Sequence, residues 1–152
     1  MTATLTIAQR ADIETLLELM REYYAFDHLP FDEQVARIAL AKFVDDESLG
    51  RVWLISDEGS PVGYLVLTLG YSLEYGGRDA FIDEVYIRAD HRGQGIGQRA
   101  LAFAEDVCRS LGVRALHLEV ERANTSAHSL YHKVGFVDHD RYLMTKRMTE
   151  PR

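Results

Sequence analysis

Apolar residues in this chain recur with two different periods, and the switches between them mark out the elements. Residues 5–8 read as a short strand. Ile13, Leu16, Leu17 and Met20 then repeat at helical spacing behind Asp12, which can cap a helix. Pro30 interrupts, and Asp32 can open a second helix with Val35, Ile38, Ala39 and Phe43 turned inward. Residues 52–55 and 62–69 read as strands joined by the hairpin turn Asp57-Glu58-Gly59-Ser60. Residues 80–87 make a fourth strand. A helix over 98–111 follows, with Ile96, Ala100, Phe103, Val107 and Leu111 on one stripe and Gly112 placed to end it. Residues 115–120 predict a fifth strand. Residues 125–133 predict a short helix capped by Asn124 or Thr125, and residues 142–148 are expected to close as a last strand. Meander strands followed by a β-α-β unit imply an α/β (α+β) domain with a mixed sheet. No linker or repeat divides residues 1–152, so a single domain is expected.

Between the fourth strand and the helix lies Arg92-Gly93-Gln94-Gly95-Ile96-Gly97. Alternating glycines at a strand-to-helix turn leave backbone N–H groups uncovered where the helix dipole is positive. Such a turn suits an anion, with a phosphate or pyrophosphate as the natural guest. Arg92 adds a fixed charge at its mouth.

Charge sharpens this picture. The chain carries a formal charge of −7, which argues against a nucleic-acid partner. Residues 1–90 hold 17 acids and 7 bases, a balance of −10, whereas residues 91–152 hold 7 acids and 10 bases, a balance of +3. This asymmetry fits an anionic cofactor on the C-terminal part and a cationic substrate drawn to the N-terminal part, although a solvated surface would carry the same charges. The single cysteine, Cys108, allows no internal disulfide. No apolar run approaches membrane-spanning length, and residues 1–4 have no secretory pattern, so a cytoplasmic protein without a membrane partner is expected.

The loop Arg92–Gly97 matches the Gln/Arg-x-x-Gly-x-Gly/Ala signature of the GCN5-related N-acetyltransferases (GNAT). The stretch Asn124-x-x-Ala127-x-x-Leu130-Tyr131-x-x-x-Gly135-Phe136 resembles that family's second landmark at the expected distance, and Ile82-Asp83-Glu84-Val85-Tyr86-Ile87 is similar to its central strand. The resemblance implies a twisted mixed sheet flanked by helices and splayed between its fourth and fifth strands, with acetyl-coenzyme A in the splay. It places the pyrophosphate on the N–H groups of Arg92, Gly93, Gln94, Gly95, Ile96 and Gly97. It pairs the pantetheine arm with the backbone of Val85, Tyr86 and Ile87, and puts Asn124 on the arm's other side.

The implied reaction is acetyl transfer to a primary amine by direct attack in a ternary complex. A protonated amine must first lose a proton, which Asp83 or, second, Glu84 could take. A strand alternates its faces, so only one of the two can enter a cleft unless a bulge intervenes. Backbone N–H groups near Val85 or Tyr86 could hold the oxyanion. Tyr131 matches the family's tyrosine that protonates the leaving thiolate. Asp83-Glu84 before Val85-Tyr86-Ile87 and the glycine loop resembles the diamine and polyamine branch, while related loops serve aminoglycosides, amino acids, and peptide N-termini or lysines; the acidic N-terminal part makes a small cationic amine the expected acceptor. The aromatic stretch Tyr23, Tyr24, Phe26 and His28 between the first two helices, with Asp27 and Asp32, could line its site or simply cover the sheet. Tyr71, Glu74 and Tyr75, before the flexible or tightly turned pair Gly76-Gly77, pose the same choice. Family members often form homodimers, and the C-terminal strand could serve here.

Other residues suggest less. Cys108 sits mid-helix without a histidine at helical spacing and reads as a buried, inert thiol. His128 and His132 have metal-ligand spacing, but no third ligand is evident from sequence, so no metal is expected. Two rival readings remain. One is a non-catalytic acyl-coenzyme A sensor. The other is an NAD-dependent oxidoreductase, since Gly95-Ile96-Gly97-Gln98-Arg99-Ala100 fits a dinucleotide fingerprint with Glu119 about 20 residues on. Only 33 residues follow Glu119, too few for the remaining units of such a domain.

Overall fold

The computed structural model describes residues 3–149, so Met1 and Thr2 of the leader reading lie outside the described residues. The chain divides into two compact units between Leu118 and Glu119. In the first, β1 (Ala3–Ile7), α1 (Ile13–Phe26), α2 (Glu33–Asp45), β2 (Gly50–Asp57), β3 (Ser60–Ser72), β4 (Gly77–Ile87), α3 (Ile96–Ser110) and β5 (Ala115–His117) follow in order. The second contains α4 (Thr125–Lys133).

The five strands form one sheet in the order β1-β2-β3-β4-β5. The first three pairings are antiparallel, and β4–β5 alone is parallel. This is the expected mixed sheet, and its antiparallel meander is not the parallel doubly wound sheet that a dinucleotide-binding fold requires. Glu58 and Gly59 both take positive φ, 51° and 82°, as a two-residue type I′ hairpin demands.

Period 2 sorts the sheet into two faces. Val52, Leu54, Tyr64 and Tyr86 pack with Ile13, Leu16, Leu17 and Leu19 of α1 and Leu40 of α2. The alternate residues Trp53, Ile55, Leu65, Leu67 and Ile82 are also buried, and the Trp53 ring meets Phe103 of α3 edge-on at 5.2 Å. Asp32 caps α2, its carboxylate accepting from the N–H groups of Gln34 and Val35. Asp12 precedes α1 but makes no side-chain cap there, since its carboxylate accepts from the Gln9 N–H at 2.8 Å instead.

Several sequence expectations need correction. The inward face of α2 is Ala36, Leu40, Phe43 and Val44, while Ile38 is 66% exposed and Ala39 is exposed too. A helix of this length covers the sheet with only one narrow stripe, and Leu40 claims it. On α3 the buried stripe is Ile96, Ala100, Leu101, Ala104 and Cys108, with Phe103, Val107 and Leu111 at its margin. The small alanines let the helix approach the sheet, so the larger residues sit at the side. Gly112, at φ 72°, ends α3 as expected. The aromatic run at 23–26 belongs to the last turn of α1 rather than to a connection. Gly76-Gly77 closes a tight hairpin, with the Gly76 N–H donating to the Leu73 carbonyl at 3.2 Å.

In the second unit the expected strand over 142–148 does not form. Tyr142-Leu143-Met144 are consecutive apolar residues and Thr145-Lys146-Arg147 consecutive polar ones, so neither face of a strand would be uniformly apolar. Tyr142 and Met144 are accordingly 87% and 88% exposed.

Gly63 is buried at the point where β3 meets the end of β4. A Cβ there would lie 2.1 Å from the Tyr86 carbonyl oxygen. Gly63→Ala is therefore expected to lower stability by about 1–3 kcal/mol through overpacking, measured by urea unfolding. An unchanged midpoint would contradict this reading of the contact.

Candidate active site

The β4–β5 ladder is three pairs long: Asp79 with Ala115, Ala80 with Leu116, and Phe81 with His117. β4 runs on to Ile87, so residues 82–87 keep β3 on one edge and, among the described residues, have no strand of this sheet on the other. The Arg88 N–H donates to the Val62 carbonyl at 2.8 Å. Alternation back along an antiparallel ladder then turns the backbone groups of Tyr86 toward β3 and those of Val85 and Ile87 toward the open edge. The Ile87 carbonyl there accepts from Arg92 Nε at 2.7 Å.

Just beyond, Gly93 and Gly95 adopt φ 76° and 82°, and Gly95 stands at the N-terminus of α3 without a side-chain cap. That left-handed conformation is open to glycine at no steric cost. A Cβ added at Gly93 or Gly97 would meet nothing within 4 Å, so side chains do not fill the turn. Ile96, Gly97 and Gln98 occupy the first turn of α3, where N–H groups lack an intrahelical acceptor. The turn is thus an uncovered array of donors at a positive helix end. Arg92 does not stand free at its mouth as expected. Its guanidinium lies over the rings of Phe26 at 4.6 Å and Tyr86 at 5.6 Å, while its Nε holds Ile87.

The register of β3 and β4 slips between Val66 and Leu67, where Val66 faces Glu84 but Leu67 faces Ile82. Asp83 is the extra residue, and the bulge resets the alternation around it. Ile82 and Val85 therefore stay on the α3 face, and Asp83 and Glu84 fall in succession on the α1 face. This is the circumstance under which both acids can reach one side of the sheet.

The two acids differ sharply in surroundings. Glu84 is half-buried and holds two tyrosines, with the Tyr64 hydroxyl donating to Oε1 at 2.7 Å and the Tyr24 hydroxyl to Oε2. Desolvation raises its pKa despite those two bonds, with the Asp83 charge adding to the rise. Both phenols are in turn pushed above their usual range, chiefly by burial. Asp83 reaches solvent and makes no hydrogen bond or ion pair among the described residues, yet the protein around it desolvates its carboxyl and raises its pKa.

An ion-pair cluster with no local sequence signal holds α1 against this end of β4. Arg88 grips Glu22 with two bonds, Nε to Oε1 at 3.0 Å and Nη2 to Oε2 at 2.8 Å, and reaches Glu18 at 3.2 Å. The Tyr86 hydroxyl also donates to Glu22 Oε1, at 3.2 Å. The Arg88 guanidinium keeps the Glu22 carboxyl below its usual range. Tyr64 was missed as well, because a tyrosine at an inward strand position reads as core. Cys108 is buried, and desolvation pushes its thiol upward, away from nucleophilic use.

Asn124 and Tyr131 belong to the second unit. Asn124 caps α4, its Oδ1 accepting from the Ala127 N–H at 3.2 Å. Tyr131 packs edge-on against Phe136 at 5.9 Å, and burial raises its phenol above the ordinary value.

Residues 13–136 match the model of the acetyltransferase (GNAT) family. The N-acetyltransferase YycN of Bacillus subtilis is 29% identical over 97% of this chain and 100% of its own length. The thialysine N-epsilon-acetyltransferase of Bos taurus is 28% identical over 86% of this chain and 82% of its own. A solved integron cassette protein from the mobile metagenome of Cole Harbour Salt Marsh superposes with a TM-score of 0.86 at 35% identity, covering 97% of this chain and 91% of that one. The chain belongs to the GNAT acetyltransferase family, as the glycine turn and the Asn124–Phe136 stretch led us to expect. It is an acetyl-coenzyme A-dependent N-acetyltransferase. No helix among the described residues is long and apolar enough to cross a membrane.

Removing a hydroxyl that bonds the ionised form of Glu84 should raise that carboxyl further. Tyr64→Phe is expected to shift the Glu84 titration upward in carboxylate-resolved NMR and to cost about 1–3 kcal/mol at neutral pH by leaving the buried charge less satisfied. A Glu84 titration that stays put or moves down would refute the pairing.

Proposed function

We propose that the enzyme acetylates a small cationic primary amine by direct attack in a ternary complex, with Asp83 taking the proton from the amine. The observation that carries this reading is the bulge at Asp83, beside the unpaired edge of β4. It leaves one carboxylate open to solvent and without a hydrogen bond or ion pair among the described residues, while its neighbour Glu84 is tied to two tyrosines. A partnerless carboxylate with a raised pKa suits a base better than one that already accepts at both oxygens.

The cofactor's pyrophosphate would rest on the N–H groups of residues 93–97, the Arg92 N–H expected from sequence being already donated to the Ala89 carbonyl at 3.3 Å, and its pantetheine arm would lie along β4 as an added strand, facing Val85 and Ile87. Of the two donors suggested by sequence for the oxyanion, the Val85 N–H is the one on the open edge. As the amine attacks the thioester carbonyl, the carbonyl oxygen gains charge at that donor. Collapse of the tetrahedral species breaks the carbon–sulfur bond, the thiolate takes a proton, and the former amine nitrogen releases one proton as it becomes the amide, which restores the proton donor. Tyr131, its phenol kept protonated by burial, would supply the thiolate's proton, and Asn124 would steady the arm through the part of its carboxamide not engaged in capping α4. An inert Cys108 supports transfer without an acetyl-enzyme.

The aromatic end of α1 suits a cationic acceptor. Tyr23, Tyr24 and Phe31 form an edge-packed group next to Glu84. The thialysine specificity named for the bovine relative is of this class, an amine at the end of a flexible amino acid side chain.

The test is a panel of diamines, amino acid side-chain amines including thialysine, and neutral amines, assayed by release of free coenzyme A thiol. Cationic amines should be preferred and initial rates should follow a sequential pattern. Asp83→Asn should lower kcat/KM by about 10²–10⁴-fold, the range for loss of a positioned base. Because desolvation raises the Asp83 carboxyl, the acidic limb of the wild-type kcat/KM profile should lie above the ordinary aspartate value of about 3.9, with activity gained as pH rises through it. Tyr131→Phe should lower kcat with the cofactor's affinity kept. Full activity in the Asp83→Asn enzyme would remove Asp83 from the role of base.

A further inference from the structure

The second unit holds a cluster that acetyl transfer does not use. His128 and His132 lie one turn apart on α4, so their imidazoles share a face. Their ring centroids are 4.2 Å apart. Both aim Nε2 at one carboxylate oxygen, Asp138 Oδ1, at 2.8 Å for His128 and 2.7 Å for His132. Asp138 comes from beyond the helix, where no sequence spacing would mark it as a partner.

The chain's path after α4 delivers it. The Val134 N–H donates to the Leu130 carbonyl at 3.1 Å, and the Gly135 N–H to the His132 carbonyl at 3.1 Å. Gly135 adopts φ 104°, and the Phe136 N–H then returns to the Tyr131 carbonyl at 2.9 Å. The helix end is thereby reversed on itself, and the Tyr131–Phe136 ring contact fixes the reversal. This backbone path brings Asp138 back against the histidine face.

We propose that His128, His132 and Asp138 form a binding site for a divalent transition-metal ion of the zinc class. Three ligand atoms from these residues lie within 4.8 Å of one another. Around a tetrahedral zinc with bonds of about 2.0–2.1 Å, ligand atoms stand about 3.3 Å apart. The two N···O separations need only widen by about half an ångström to admit the ion, within the reach of side-chain rotation. Two imidazoles with one carboxylate select zinc, nickel or copper over magnesium or calcium, which prefer all-oxygen shells. Without an ion, both imidazoles must donate N–H to a single oxygen. With one, each Nε2 lone pair and the carboxylate charge find a common partner. The side chains are 37%, 47% and 61% exposed, which gives the ion an entry path and leaves a fourth position for water. The ion would cross-link residues 134–138 to α4, whose Tyr131 lies between the two histidines.

The test is calorimetric titration of Zn²⁺ into the tag-free, chelator-treated full chain, with Co²⁺ as a spectroscopic stand-in. One ion per chain should bind, Co²⁺ should give the visible absorption of a low-symmetry site, and long-range ¹H–¹⁵N spectra should report Nε2 of both histidines as the metallated nitrogen. His128→Ala, His132→Ala and Asp138→Asn should each weaken Zn²⁺ binding by at least about 10-fold, the lower end of what loss of even a supporting group costs. His28→Ala should leave it unchanged. These substitutions fall on exposed side chains, and a retained far-UV spectrum would verify folding. Failure to saturate at one ion per chain, metallation at Nδ1, or affinity unchanged in the Asp138→Asn chain would each overturn the proposal.

Discussion

The central constraint on this molecule is that the one parallel pairing among the described residues stops after Phe81. β5 is three residues long, whereas β4 continues for six more. An unpaired strand edge inside a protein is a liability unless something covers it. Here the exposed groups alternate so that Val85 and Ile87 face the opening, and the glycine turn follows directly at their end. A shorter β4 would leave no edge for a strand-like ligand, and a longer β5 would close it. The antiparallel meander of β1 to β4 supplies the platform, and α3 starts at Ile96, directly after the glycine turn.

The two candidate acids depend on a second irregularity in the same strand. The bulge at Asp83 brings two consecutive acids to one face, which regular pleating forbids. Environment then separates them. Glu84 accepts from Tyr24 on α1 and Tyr64 on β3, and so joins helix to sheet. Arg88 and Glu22 repeat that join two residues along the helix. Glu84 thus ties α1 to the sheet, and Asp83 is left without a hydrogen bond or ion pair among the described residues.

Much of this was legible in the sequence because the signals were local. Glycines at a strand-to-helix turn, a hairpin with Glu58-Gly59, a cap at Asp32 and the stop at Gly112 each depend on a few adjacent residues, and each stands where the pattern put it. The misplaced features depend on contacts far apart in the chain. The inward stripe of α2 is set by which of its apolar residues meets the sheet first. The Arg88–Glu22 pair spans 66 positions, and nothing in either neighbourhood announces it. Asp138 escaped notice for the same reason, since its approach to His128 depends on the reversal at Gly135. Arg92 shows the limit of reading a charge from its place in a motif, because its side chain was claimed by the Ile87 carbonyl and by two rings. The strand expected over 142–148 failed on composition alone, as blocks of apolar and polar residues cannot make one apolar face.

Amide hydrogen exchange with and without coenzyme A tests the account most directly. If the opening beside β4 receives the cofactor, saturating coenzyme A should slow exchange at the Val85 and Ile87 amides and across residues 93–97, while the Tyr86 amide, already paired with β3, changes little. Protection confined to other parts of the chain, with Val85, Ile87 and the glycine turn exchanging as before, would contradict it.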